Sequence, residues 1–388
     1  MAFTDSRLAH IGVNACLVAA SVAATLFVIE VSLRLAANSQ LESSYHYWRQ
    51  ATYEGFLYHY ASQPAELPPK NFHPVRGWTD FSIRHGPDGY LIEDVFGFPW
   101  RETQHVPYAK TRRRVILIGD SFIYGLNVAR DETIDRLLSV RLGNQFEVIN
   151  LGTRGYGLDQ MVLVANEVIP QLSPDDVVVG IIADDLKRSC QSTSFLSTEQ
   201  VSATAKPRFE LIDGRLVWPP AVPTPYELYL QHRERQTLDA VLARLYSVRI
   251  LALAVGPFLR QAQETCIAKL NAVLLRSLMN DAPKKTRIHV IHLDGVLPAE
   301  FTTEMVALNI PYYSAPADIA ATSQALGVTA ERHSDSHPKA GLNAVYAHMI
   351  YKILTSASAA EITNPQFLNI PKALGAAWRP GGRYGGVK

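Results

Sequence analysis

Four consecutive aliphatic residues, Val115-Ile116-Leu117-Ile118, run straight into Gly119-Asp120-Ser121, and this junction constrains the chain more than any other stretch. A short apolar run bounded by Arg112-Arg113-Arg114 and by a glycine reads as a buried strand of a parallel sheet. Ser121 then stands at the carboxyl edge, where open α/β sheets place their chemistry. Gly119 permits a sharp turn, and the N–H groups of a following helix start would face a developing negative charge. Serine is equally a common helix cap, so Ser121 gains meaning only beside a second segment. Far down the chain, Asp335-Ser336-His337-Pro338 puts a carboxylate and an imidazole two positions apart. Ser, Asp and His in that chain order are the parts of an acyl-transfer triad.

The block Val115 to Gly125, reading VILIGDSFIYG, resembles the first signature of SGNH/GDSL-type esterases and acyltransferases. Asn150-Leu151-Gly152-Thr153-Arg154-Gly155-Tyr156-Gly157 resembles their second signature, and Asp335-Ser336-His337-Pro338 with Gly341 and Ala344 resembles their last. The third block departs. Where that family usually carries Asn-Asp after the third strand, this chain reads Ala183-Asp184-Asp185-Leu186. The resemblance covers roughly residues 111–355. It implies a flavodoxin-like three-layer α/β/α fold with a parallel five-stranded sheet, and no cofactor or metal. It also implies Ser121 as nucleophile, His337 as base and Asp335 as its partner. Oxyanion donors would come from the N–H groups of Ser121 and Gly155, with Asp184 standing where the family has its Asn.

Composition is that of an ordinary globular protein. The chain has 388 residues, 47% of them hydrophobic and 19% charged, with a formal net charge of +1. That balance, with no dense Lys/Arg block interleaved with aromatics, argues against a nucleic-acid partner. Near the N-terminus, Ile11 to Ile29 is uncharged and contains only Asn14, Ser21 and Thr25 as polar residues. At helical rise such a run spans roughly 30 Å, the thickness of a bilayer's hydrocarbon. Leu35-Ala36-Ala37 is a poor cleavage site, so the expectation is an uncleaved anchor over residues 11–36 after a short cytoplasmic tail at 1–10, with a cleaved signal peptide and a buried core helix as the other readings. Arg7 and Arg34 nearly balance across the run, and the long C-terminal region favours the tail-out orientation. The resemblance implies a single-pass bacterial inner-membrane protein with its catalytic part in the periplasm. Cys16 lies inside the anchor; Cys190 and Cys266 lie outside it, as a disulfide pair or as two buried thiols.

Residues 37–110, rich in Tyr, Trp, Pro and His, read as a turn-rich collar with short strands near Tyr90-Leu91-Ile92. Its aromatics read first as packing and second as a glycan groove. From residue 111 strand and helix alternate, which argues a parallel sheet covered on both faces. Helices are expected over Thr133–Leu142, Leu158–Ile169 (ending at Pro170) and Gly341–Leu354. Strands are expected over Phe146–Leu151, Val177–Ile182 and Arg287–Leu293, with a fifth opening at Ile310-Pro311-Tyr312-Tyr313. An insert at about 187–285 contains a hairpin turning at Asp213-Gly214, then helical segments around Tyr226–Ala254 and Gln261–Leu278, and is read as a substrate lid. The tail 356–388 reads as a loose surface strap.

Each of these residues has a plainer reading. His337 alone would be a surface histidine ahead of a helix; the matching blocks make it the base that removes the Ser121 proton. Asp120 is expected to brace the nucleophile loop by hydrogen bonds. His289, His292, His333 and His348 have no supporting motif and read as structural. Asp184 opposes the chemistry, since an ionised carboxylate only accepts hydrogen bonds where an amide would donate. Three functions stay open. The first is an esterase or O-acyltransferase acting on acylated, O-acetylated carbohydrate or a small ester, in the company of polysaccharide-assembly proteins. The second is an impaired scaffold or carbohydrate-binding protein. The third is a phosphoesterase with Mg²⁺ held by Asp120, Asp184 and Asp185.

Overall fold

The computed structural model describes residues 2–36, 67–97, 103–191, 193–196, 202–228 and 265–356, with two single positions at 230 and 245. The chain divides into two compact units, and helix α1 (Ala2–Ala36) belongs to the first. Within it, Leu17–Leu35 has a mean hydropathy of 1.8 and no buried residues, so it is long and apolar enough to cross a membrane. Two charges fall inside that window, and they neutralise each other: Arg34 Nε donates to Glu30 Oε1 one helical turn away, at 2.9 Å.

The second unit opens with short antiparallel strands. They are β1 (Phe72–His73) paired with β2 (Gly77–Trp78), then the meander β3 (Phe81–His85), β4 (Gly89–Asp94) and β5 (Gln104–Pro107). The strand expected near Tyr90 is β4. Next comes β6 (Arg113–Gly119), which feeds the short helix α2 (Ser121–Tyr124). Helix α3 (Ile134–Leu142) leads to β7 (Phe146–Asn150), and α4 (Leu158–Leu172) to β8 (Asp176–Ile182) and α5 (Ala183–Arg188). Short strands β9 (Thr193–Leu196) and β10 (Ser202–Ala205) and the hairpin β11 (Glu210–Ile212) with β12 (Arg215–Val217) follow. The chain continues through α6 (Asn271–Asp281), β13 (Arg287–Asp294), α7 (Ala299–Ala307), β14 (Tyr312–Ser314), α8 (Ile319–Leu326) and α9 (Ala340–Thr355).

The main sheet has the order β14-β13-β8-β6-β7, every pair parallel. Counted along the chain from β6 this is 2-1-3-4-5, the flavodoxin-like order, whose switch point lies between its first and third strands. Ser121 follows the strand at that switch point. Both faces are covered, as the unbroken apolar runs require. Because strand side chains alternate, Ile116 and Ile118 pack with α4, α6 and α7, while Val115 and Leu117 pack with α3 and α9. Trp78, Phe81, Ile92 and Val106 of the small strands join the first of these cores.

Helix α4 differs from expectation, running through Pro170 to Leu172. Pro170 removes the N–H that would bond four residues back and crowds the carbonyl there, a disruption confined to the last turn of the helix. Ile169 and Leu172 are buried, and the Leu172 carbonyl accepts Arg114 Nη1 at 2.5 Å, so packing and a charged donor carry the last turn past the proline. The hairpin does turn at Asp213-Gly214, both with positive φ (50° and 75°) as a type I′ turn needs. Cys190 and Cys266 are joined by a disulfide with Cα atoms 6.0 Å apart. The helical segment expected around Tyr226–Ala254 and the tail strap lie largely outside the described residues.

Candidate active site

The position of Ser121 is built by close packing. Gly119 of β6 lies opposite Gly180 of β8, and the Ile123 side chain of α2 fills the space that two Cβ atoms would take. A Cβ on Gly119 would sit 2.4 Å from Ile123 Cγ1 and 2.8 Å from the Gly180 carbonyl oxygen. The glycine therefore serves close approach here, with no unusual φ involved. Asp120 is fully buried and caps α2, its Oδ1 accepting the Phe122 N–H at 2.9 Å. That is the bracing role expected for it.

Ser121 and His337 come together. His337 Nε2 lies 2.8 Å from Ser121 Oγ, and His337 Nδ1 lies 3.0 Å from Asp335 Oδ2. The Nδ1 contact has an ion-pair distance without the alignment of a hydrogen bond, so Nδ1 remains without a well-directed acceptor. Asp335 thus acts on the ring chiefly as a neighbouring charge. Its presence beside Nδ1 favours the tautomer with the proton there, leaving Nε2 to accept. Ser121 Oγ has a second acceptor within reach, Asp120 Oδ2 at 3.4 Å, and the shorter contact to the imidazole wins.

The Asp335 loop is a tight turn at the surface. Arg332 bridges to Pro338, the His333 N–H donates to the His337 carbonyl at 2.8 Å, and Ser336 holds a left-handed φ of 71°. Asp335 accepts the His337 N–H through Oδ1 at 3.2 Å and Asn127 Nδ2 through Oδ2 at 2.6 Å. Its slight desolvation works against ionisation, but the N–H and imidazole of His337 outweigh it and hold the carboxyl below the usual range. Arg332 anchors the loop by a forked pair with Asp294, at 2.9 and 2.7 Å. The sequence reading singled out neither Asn127 nor Arg332; each meets its partner only through the fold.

Gly155 has a φ of 73°, the left-handed region that favours glycine. Asp184 is largely exposed and its Oδ1 pairs with Lys187 Nζ at 2.7 Å. Asp185 is fully buried, accepting the Ile182 N–H at 2.8 Å and Arg188 Nη1 at 2.7 Å. The same Arg188 nitrogen reaches Asp120 Oδ2 at 3.2 Å, so one guanidinium serves two buried carboxylates. Burial, then the Asp120 charge, pushes Asp185 well above the usual carboxylate range despite Arg188. With a guanidinium already between Asp120 and Asp185, these carboxylates are spoken for, which weakens the Mg²⁺ reading. Among the described residues no group of three His, Cys, Asp or Glu has metal-binding geometry.

Three of the histidines without a motif have protein partners for a ring nitrogen. His289 Nε2 lies 2.9 Å from Asp176, His292 Nε2 lies 2.8 Å from the Asp294 carbonyl, and His348 Nδ1 lies 3.3 Å from Arg141. The His333 N–H belongs to the turn described above.

No protein-family model matches this chain, and no curated protein matches it. Solved structures do align with it. TesA is 13% identical, with 62% of this chain and 97% of that chain covered and a TM-score of 0.34. A member of the lipolytic protein G-D-S-L family from Veillonella parvula is 10% identical (62% and 97% covered, TM-score 0.31). Est24, a carbohydrate acetylesterase from Sinorhizobium meliloti, is also 10% identical (63% and 98% covered, TM-score 0.32).

Proposed function

We propose that this chain is a membrane-tethered serine esterase or O-acyltransferase of SGNH/GDSL type, acting on acylated carbohydrate outside the cytoplasm. The observation that carries the reading is the 2.8 Å contact from His337 Nε2 to Ser121 Oγ, with Asp335 behind the ring. In this reading His337 takes the hydroxyl proton as Ser121 Oγ attacks the acyl carbonyl. The resulting imidazolium is stabilised by Asp335. The oxyanion is held by the N–H groups of Ser121 and Gly155. Collapse returns the proton to the leaving alcohol and leaves an acyl group on Ser121. Water or a sugar hydroxyl then resolves it by the reverse proton path, and that choice separates hydrolase from transferase.

Tethering is supported by the exposed apolar stretch of α1. Acylated, most simply O-acetylated, carbohydrate is the substrate class the signature blocks imply, and proteins of polysaccharide assembly are the matching partners. Asp184 favours one alternative. A carboxylate where the family has a donor amide fits a chain that binds such glycans and turns them over poorly. One experiment separates the readings. Detergent-solubilised full-length protein is incubated with a fluorophosphonate, and separately with nitrophenyl acetate with and without glycan acceptors. Label on Ser121 with release of acetate or acetylated glycan is the expected result; an unlabelled, inert Ser121 rules out the serine enzyme.

A further inference from the structure

The strands that precede β6 grip the loop carrying Gly155 from both sides. Trp78 Nε1 donates to the Arg154 carbonyl at 2.9 Å. The Arg154 N–H donates to Asp80 Oδ2 at 2.9 Å, and its guanidinium forks onto the same carboxylate at 2.9 and 3.0 Å. The Tyr156 hydroxyl donates to the Trp78 carbonyl at 2.5 Å, and Gln160 Nε2 donates to the Arg76 carbonyl at 2.7 Å. Trp78 and Asp80 are 1% exposed and Tyr156 is fully buried, while the Arg154 side chain keeps 19% of its surface, so the partners of Arg154 are shielded from bulk water on their side of each bond. The Arg154 guanidinium also stacks over the rings of Phe96 and Tyr124, and the Tyr124 hydroxyl donates to Asp94 of β4 at 3.0 Å. The same small strands thus hold the helix that carries Ser121.

The consequence follows from peptide geometry. The Arg154 carbonyl and the Gly155 N–H are two ends of one planar trans unit, so fixing the oxygen fixes the direction in which the N–H points. Gly155, in its left-handed conformation and without a side chain to wedge it, would otherwise be the loosest link in the loop. An oxyanion donor helps only if it is already aimed when charge develops.

We propose that Trp78 and Asp80 are positioning residues for the oxyanion donor: through the Arg154 peptide they aim the Gly155 N–H at the acyl carbonyl. The catalytic domain is then incomplete without the strands before β6. This rests on the esterase reading, and the test is built to fail separately from it.

Full-length protein in detergent is compared with Trp78→Phe, which removes one N–H and keeps a ring, and with Asp80→Asn, which keeps shape and removes the charge. The expected result is a kcat for nitrophenyl acetate lowered about 10–100-fold, less than the roughly 10²–10³-fold that outright loss of an oxyanion donor costs, with KM within about twofold. Affinity for a trifluoromethyl ketone, whose adduct needs the oxyanion donors, should fall in parallel with kcat/KM. Amide exchange of residues 152–157 should speed up in both variants while that of β6 and β8 does not. Turnover and ketone affinity within twofold of the parent in either folded variant overturns the proposal. So does unchanged exchange of that loop, and this arm decides even if the parent protein proves inert and the esterase reading falls. Should Asp80→Asn fail to fold, Trp78→Phe gives the same decision.

Discussion

The two halves of the candidate site are held in different ways. Ser121 is 7% exposed, and Phe122, Ile123 and Tyr124 behind it are buried, keyed into the Gly119–Gly180 cleft and capped by Asp120. Asp335 has a side chain 46% exposed, on a turn held by a handful of polar contacts. Ser121 is placed by the core, whose packing tolerates little change. His337 is placed by a surface loop, where a lost contact shifts the ring without opening the core. Substitutions in the packing that seats Ser121 should therefore cost folding and rate together. Those in the loop should cost rate alone.

The largest effects test whether the halves act as a unit. Ser121→Ala should lower kcat by about 10³-fold or more, and His337→Ala nearly as much, because members of a triad are not additive. Melting temperatures should stay near that of the parent in both, since neither side chain fills the core. If His337→Ala keeps a tenth of the rate, the loop is not part of the chemistry and the comparison collapses.

Next comes the contrast itself. Gly119→Ala forces a Cβ to within 2.8 Å of a backbone oxygen on the neighbouring strand, so relief requires the strands to shift. Overpacking of this kind costs about 1–3 kcal/mol, and the displaced Ser121 should lose most of its activity. Ser336→Ala, in the exposed turn, should change stability by less than about 0.5 kcal/mol. Equal losses of stability in a denaturant titration would show that both halves are core-placed.

Smaller effects are expected where one polar group is exchanged. Asn127→Gly suits the left-handed φ of 67° at that position and removes the amide that holds Asp335. A charge-assisted hydrogen bond at a partly exposed site is worth about 1 kcal/mol, so kcat should fall by several-fold with KM unchanged. Asp184→Asn runs the other way. If this position faces the oxyanion, restoring a donor should raise kcat/KM on nitrophenyl acetate by about tenfold. No gain would mean that the Lys187 pairing of Asp184 serves another role.

The sequence made the nucleophile half legible because its signal is local. An unbroken aliphatic run, a glycine and a serine are contiguous, and alternation with helices argues a covered parallel sheet, whereas the flavodoxin-like strand order came only from the family resemblance. The loop half was legible only as residue types, since nothing in Asp335-Ser336-His337 tells that Asn127 will reach it. The hold of Trp78 and Asp80 on Arg154 was hidden for the same reason: it joins residues more than seventy positions apart through side chains. Pro170 misled because a helix stop is a local rule, whereas the buried Ile169 and Leu172 that override it are tertiary. Cys190 and Cys266 carried no spacing signal, so their bond appears only with the fold.

The smallest effect comes from pH, which should act in opposite directions on the two halves. On α9, the buried helix that follows the Asp335 turn, burial, then the charges of Arg141 and Lys352, lowers His348 to about 4. Its unfolded value is near 6.5, so between those limits the unfolded chain binds a proton that the folded one refuses. Stability from this residue is therefore complete above about pH 6.5 and is lost as pH falls toward 4, by about 1 kcal/mol once solvent screening is allowed for. On the nucleophile side Asp185 is shifted upward by burial and by Asp120, so its folded form holds a proton that the unfolded chain releases. That contribution is complete below the ordinary carboxylate pKa and is lost as pH rises through the raised value. Amide exchange compared at pH 5 and pH 7, each rate corrected for its intrinsic pH dependence, should show α9 opening more easily in acid while β8 and α5 are firmer there. His348→Gln should flatten the first trend and leave the second. If both regions loosen together in acid, the two halves share one electrostatic environment and the division drawn from their burial does not extend to charge.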